Sequence, residues 1–71
     1  MEDYKERMVK EYTDLKERHT KLHKILVKHD AGKLDFTLNC PVMLLRQQES
    51  IMARYLSILE KRAVIEGIEL D

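Results

Sequence analysis

Residues 32–41 are the one strong break in an otherwise helical pattern, and they hold the only proline and one of the two glycines in the chain. Upstream, Tyr4, Met8, Tyr12, Leu15, Leu22 and Ile25 recur at helical spacing, and Leu26 widens the stripe. Downstream, helical spacing returns in two parallel rows. Two amphipathic helices joined by a short connection predict an all-α fold, an antiparallel two-helix hairpin. The expected bounds are about 2–31 and 41–66, with a loop at 32–40 and a tail at 67–71. At ~1.5 Å per residue both helices reach roughly 40 Å, and such matched lengths favour antiparallel packing.

The ends carry local signals. Asp3 suits an N-cap, with Glu6 three residues on as its capping-box partner. Glu2, Asp3 and Glu6 complement the positive end of the helix dipole, and Lys24 and Lys28 the negative end. Gly32 can take the left-handed conformation that closes a helix. Pro41 fits the first position of helix 2, where its missing N–H costs nothing, with Asn39 or Cys40 as the cap. Gly67 followed by Ile68 predicts a Schellman ending. Leu34, Phe36 and Leu38 alternate with polar residues, but the sequence offers no partner strand. They are expected to pack as an ordered loop over the hairpin end.

Helix 2 carries more apolar surface than one neighbour can cover. One row is Leu44, Ile51, Tyr55, Ile58 and Ile65. The other is Leu45, Met52, Leu56, Leu59 and Ala63. In helix 1, Glu11 and Arg18 stand at heptad positions that a strict coiled coil would make apolar, which suits a bundle better. A 71-residue chain is marginal as a monomer. A single cysteine permits no internal disulfide, and no Cys/His cluster offers a zinc site. Self-association is the remedy left, so the hairpin is expected to assemble into a homo-oligomeric helical bundle. The unpaired thiol and the lack of a secretory signal set the expectation of a cytoplasmic protein. The longest apolar run, 42–45, is far short of the ~20 residues that span a bilayer, and 55–56 is shorter still, so no membrane partner is expected.

Thirteen basic and thirteen acidic side chains cancel, which disfavours a duplex-DNA partner. The charge is nevertheless segregated. Residues 1–15 sum to −2 and residues 16–33 to +4, and all three histidines fall in the second stretch. His19 and His23 share a helix face at i, i+4, but Lys16, Lys21 and Lys24 around them oppose a divalent metal. Solvated or packed histidines are expected instead. Cys40 lacks a visible base and oxyanion partner, and is expected as a small buried residue beneath the loop. Carboxylate pairs such as Asp14/Glu17 and Glu66/Glu69 are ordinary surface in a chain that is 37% charged. There is no glycine-rich phosphate loop. No enzyme, cofactor or metal site is expected.

Binding remains. In an antiparallel hairpin, Lys24, Lys28 and Arg46 would converge at the loop end near Phe36. Arginine forks onto phosphate, lysine adds point charge, and an aromatic ring stacks on a base. Tyr12 offers a second ring and hydroxyl. Arg54 flanks the rows of helix 2, where a neighbouring subunit would meet it. The plain alternative is a set of unrelated surface cations with core or interface tyrosines.

Several segments resemble one another's counterparts in a single family: Tyr-Lys-Glu-Arg-Met-Val-Lys-Glu-Tyr from Tyr4, Asp30-Ala-Gly-Lys-Leu-Asp-Phe, Asn39-Cys-Pro, Tyr55-Leu-x-x-Leu-Glu-x-Arg, and Glu66-Gly-Ile. Together they resemble a family of short phage and prophage proteins named after a member in a crAss-like phage, over nearly the whole chain. The resemblance implies a phage origin. By analogy with the anti-CBASS and anti-Thoeris sponges, it implies an anti-defence protein of the host cytoplasm that sequesters a cyclic nucleotide or ADP-ribose-derived signal without turnover. The motifs of the anti-CBASS helical sponge are missing, so none of its binding residues carries over. The competing expectation is a small helical protein–protein interaction module, an inhibitor or adaptor of a host protein that lays one apolar row into a partner's groove.

Overall fold

The computed structural model describes residues 3–70. Two helices, α1 (Asp3–Asp30) and α2 (Val42–Glu66), pack side by side as an antiparallel hairpin. No strand occurs among the described residues. The hairpin is a rod of 47 × 18 × 16 Å. Glu2, expected at the start of the first helix, and Asp71 of the tail lie outside the described residues.

Both helices close in the same way. Gly32 and Gly67 adopt φ of +72° and +70°. The Lys33 N–H donates to the Lys28 carbonyl at 2.8 Å and Gly32 to His29 at 3.1 Å. Ile68 donates to Ala63 at 2.8 Å and Gly67 to Val64 at 3.4 Å. These are two Schellman motifs, each satisfying two carbonyls that a helix end leaves orphaned. Ile68 then folds against the core beside Ala63, the apolar contact that accompanies such an ending.

The N-termini differ from expectation. Asp3 is already helical, so it contributes charge to the first turn and is not the cap. Pro41 sits just outside α2 as its N-cap, with ψ at 138°, and no side chain caps the helix. The Leu44 N–H reaches the Pro41 carbonyl at 3.0 Å. Extended backbone at Pro41, one residue earlier than the helix, leaves Asn39 and Cys40 too far out to cap. Cys40 is exposed, not buried beneath the loop. Leu34 and Leu38 do pack, half-buried, over the hairpin end, while Phe36 remains 54% exposed.

Of the two rows on α2, the second meets α1. Leu56, Leu59 and Ala63 are buried, Leu45 and Met52 half-buried. They close on Met8 and Tyr12 at one end, where Leu15, Ile68 and Leu70 complete the cluster, while Leu22 and Leu26 are buried further along α1. Every residue of the first row, Leu44, Ile51, Tyr55, Ile58 and Ile65, is exposed.

Candidate functional site

Polar contacts fix the level at which the two helices meet. The Tyr12 hydroxyl donates to Glu60 at 2.7 Å. His23 Nδ1 donates to Glu49, and His19 lies 3.9 Å from the same carboxylate. The two imidazoles stack 6.2 Å apart at 15°, so one carboxylate of α2 gathers both rings of the i, i+4 pair. Near the loop, Arg46 forks onto Asp30 through both guanidinium nitrogens, one bond measuring 3.1 Å. That hydrogen-bonded charge holds the Asp30 carboxyl below its ordinary value and pushes Arg46 above its own. Among the described residues, no group of three or more His, Cys, Asp or Glu side chains is arranged to hold a metal ion. No described helix is long and apolar enough to cross a membrane.

A shallow depression runs along the outer side of α1. Tyr12, Thr13, Lys16, Glu17, Thr20, Lys21 and Lys24 line it. The spacing explains the set: residues 13, 16/17, 20/21 and 24 succeed one another on one helix face. Lys16 places its ammonium 5.6 Å from the centre of the Tyr12 ring, and Lys21 lies 3.5 Å from Glu17. Three ammonium groups and two threonine hydroxyls thus share a surface with one carboxylate, a composition that favours an anion rich in acceptor oxygens.

The six residues singled out from the sequence are distributed over several surfaces. Tyr12 and Lys24 share the α1 depression. Tyr12 is only 6% exposed, so its ring belongs to the core and its edge alone reaches the surface. Lys28 is exposed one turn beyond Lys24. Phe36 lines a second depression at the loop end, with His29, Gly32, Leu34, Thr37, Leu38, Cys40 and Val42, and shares it with none of the expected cations. Arg46 is engaged by Asp30. Arg54 is exposed on α2 beside the uncovered apolar row. The helix-face neighbours Thr13, Lys16, Thr20 and Lys21 were missed as site candidates, although their i, i+3/i+4 spacing with Lys24 is visible in the sequence.

Residues 2–65 match the family model Sequestin, and the chain belongs to the Sequestin family. No curated protein and no solved structure matches it.

Proposed function

We propose that this member of the Sequestin family is a phage-encoded anti-defence protein. It acts in the host cytoplasm as a homo-oligomer, binding a nucleotide immune signal and withholding it without turnover. The observation that carries this reading is the α1 depression, where Lys16, Lys21 and Lys24 stand beside the hydroxyls of Thr13 and Thr20. Phosphate oxygens would accept from those groups, and Lys28 extends the cationic row toward the loop. Sequestration needs cations, donors and a surface, and no nucleophile or base. The family's name, Sequestin, agrees with such a role.

The test is calorimetry of the purified protein against cyclic dinucleotides, cyclic ADP-ribose isomers and linear nucleotides as controls. Micromolar or tighter binding of a signal, recovered intact after heat denaturation of the complex, supports sequestration. Recovery of a cleaved product would make the protein an enzyme. One observation favours a second reading, a protein-binding helical module: ten large apolar side chains are exposed among the described residues of the single chain. That reading predicts a stoichiometric host polypeptide in the purified complex and no nucleotide.

A further inference from the structure

Among the described residues, seven apolar side chains are buried and ten large ones are exposed, the reverse of a self-sufficient monomer. Half of the exposed ones lie in one row of α2. Leu44, Ile51, Ile58 and Ile65 fall at intervals of seven residues with Tyr55 between the inner two, a line of 21 residue steps or ~32 Å.

The hairpin has two unequal seams. Advancing ~100° per residue, Tyr12, His23 and Asp30 fall on one side of the buried line of α1, and Glu60, Glu49 and Arg46 on the matching side of α2. The cross-helix polar contacts of Tyr12, His19, His23 and Asp30 lie there. The opposite side carries the exposed row of α2 and, on α1, Tyr4, Glu11, Arg18 and Ile25, again seven apart. Glu11 and Arg18 are the two charges that interrupt the heptads of α1.

We infer that a second copy of this chain covers this face, related by a two-fold axis parallel to the helices, so that α2 of each copy lies against α1 of the other in a four-helix bundle. Such an axis leaves heights along the rod unchanged, so α2 meets the partner's α1 at the same levels at which it meets its own. Within the chain, the residues joined by cross-helix hydrogen bonds have numbers that add to 72, 72 and 76, and the longer His19–Glu49 contact adds to 68. On that register Arg62 falls opposite the partner's Glu11, Tyr55 opposite the partner's Arg18, and Gln48 opposite the partner's Ile25. An ion pair and a guanidinium over a tyrosine ring then occupy the two positions that looked misplaced. All neighbouring helices run antiparallel, as four-helix bundles prefer. The alternative two-fold, perpendicular to the helices, would set α2 against α2 with Tyr55 against the partner's Tyr55 and leave Glu11 and Arg62 apart. A second copy is also the one partner present wherever the chain is made. The α1 depression lies on the other side of the rod and stays open.

Directed crosslinking tests it. Two chains, both carrying Cys40→Ser, bear Glu11→Cys and Arg62→Cys respectively. Mixed, annealed and mildly oxidised, they should form a covalent species of twice the 8.5 kDa chain mass, which neither forms alone. A third chain, Cys40→Ser with Tyr55→Cys, should not crosslink to itself. Self-crosslinking through position 55 without the mixed product would overturn the arrangement in favour of the perpendicular axis. Sedimentation of the unmodified protein as a folded monomer at micromolar concentration would overturn self-association altogether. Charge exchange adds a check independent of cysteine. Glu11→Arg and Arg62→Glu should each weaken the dimer at least tenfold, and the two together in one chain should restore it. Both failures are separable from failure of nucleotide binding, which uses the opposite side of the rod.

Discussion

Arg46 and Asp30 face one another across the loop end, the guanidinium fork on both carboxylate oxygens. The pair clips the last turn of α1 to the second turn of α2, on either side of a connection with no regular structure. It also occupies the arginine that a phosphate would otherwise recruit. The Asp30 carboxyl is held below its ordinary value of 3.8, first by the hydrogen bond from Arg46 and then by its charge. A group whose folded pKa is depressed stabilises the fold above its unfolded pKa and loses that contribution as pH falls through the folded value. The pair therefore supports the hairpin at neutral pH and releases it only as pH falls below the ordinary carboxyl value of 3.8. Replacing Asp30→Asn should lower the melting temperature at pH 7 and flatten its decline in acid. A thermal series from pH 7 to pH 2.5 on both proteins reads this directly. Parallel curves would show that the pair contributes nothing to the fold.

Leu59 is wholly inaccessible, the only side chain so deeply placed among the described residues. Truncation to alanine removes apolar contact and opens a cavity, at about 2–5 kcal/mol in ordinary cores. In a chain this small that approaches the whole stability. Leu59→Ala should be largely unfolded by circular dichroism at 37 °C, while Ile58→Ala, next to it but on the exposed row, should keep its helicity at high protein concentration. Because assembly links stability to concentration, the comparison needs equal chain concentrations.

Hairpin architecture was legible because each helix advertises itself by its period and its closing glycine. The two rows of α2 were legible too: one is buried against α1 and the other stands exposed, as expected. Register between the helices was not. The sequence shows His19 and His23 on one face, yet that Glu49 receives both depends on which level of α2 lies opposite, a property of the packed pair. The same holds for Asp30 with Arg46 and for Tyr12 with Glu60. Proximity along the rod alone brings Lys24, Lys28 and Arg46 to the level of Phe36. Rotation about each helix axis then turns Lys24 toward the side lined by Lys16, Lys21 and Thr20, away from the loop-end depression. Cys40, expected beneath the loop for want of a base and oxyanion partner, is exposed. A connection with so few neighbours has no interior to offer it.

At Gly67 the backbone is left-handed, and a Cβ there would meet nothing within 4 Å. Any cost of Gly67→Ala is therefore conformational, about 1–2 kcal/mol for a residue with a side chain in that region. The substitution should lower the melting temperature by roughly 4–15 °C on the scale for small domains. It should also loosen Ile68, whose amide closes on Ala63 only if the turn is kept. Faster amide exchange at Ile68 with unchanged exchange in α1 is the expected local signature. If the melting temperature were unchanged, the Schellman turn would not contribute to holding the tail on the core.

The binding surface is tested by charge reversal along α1. Lys21 and Lys24 are exposed, so their loss should leave the fold intact. Charge-assisted hydrogen bonds to phosphate contribute about 1.5–3 kcal/mol each. Reversing both, as Lys21→Glu with Lys24→Glu, should weaken nucleotide binding by at least ~100-fold, at ~1.4 kcal/mol per decade. Arg46→Ala should change affinity little, because its guanidinium already serves Asp30. Raising salt from 50 to 300 mM should weaken the wild-type complex and leave the double variant nearly indifferent, since the charges that respond to screening are gone. Should Arg46→Ala abolish binding while the α1 pair proves dispensable, the ligand sits at the loop end beside Phe36. Sequestration would then stand with its site moved to the other depression.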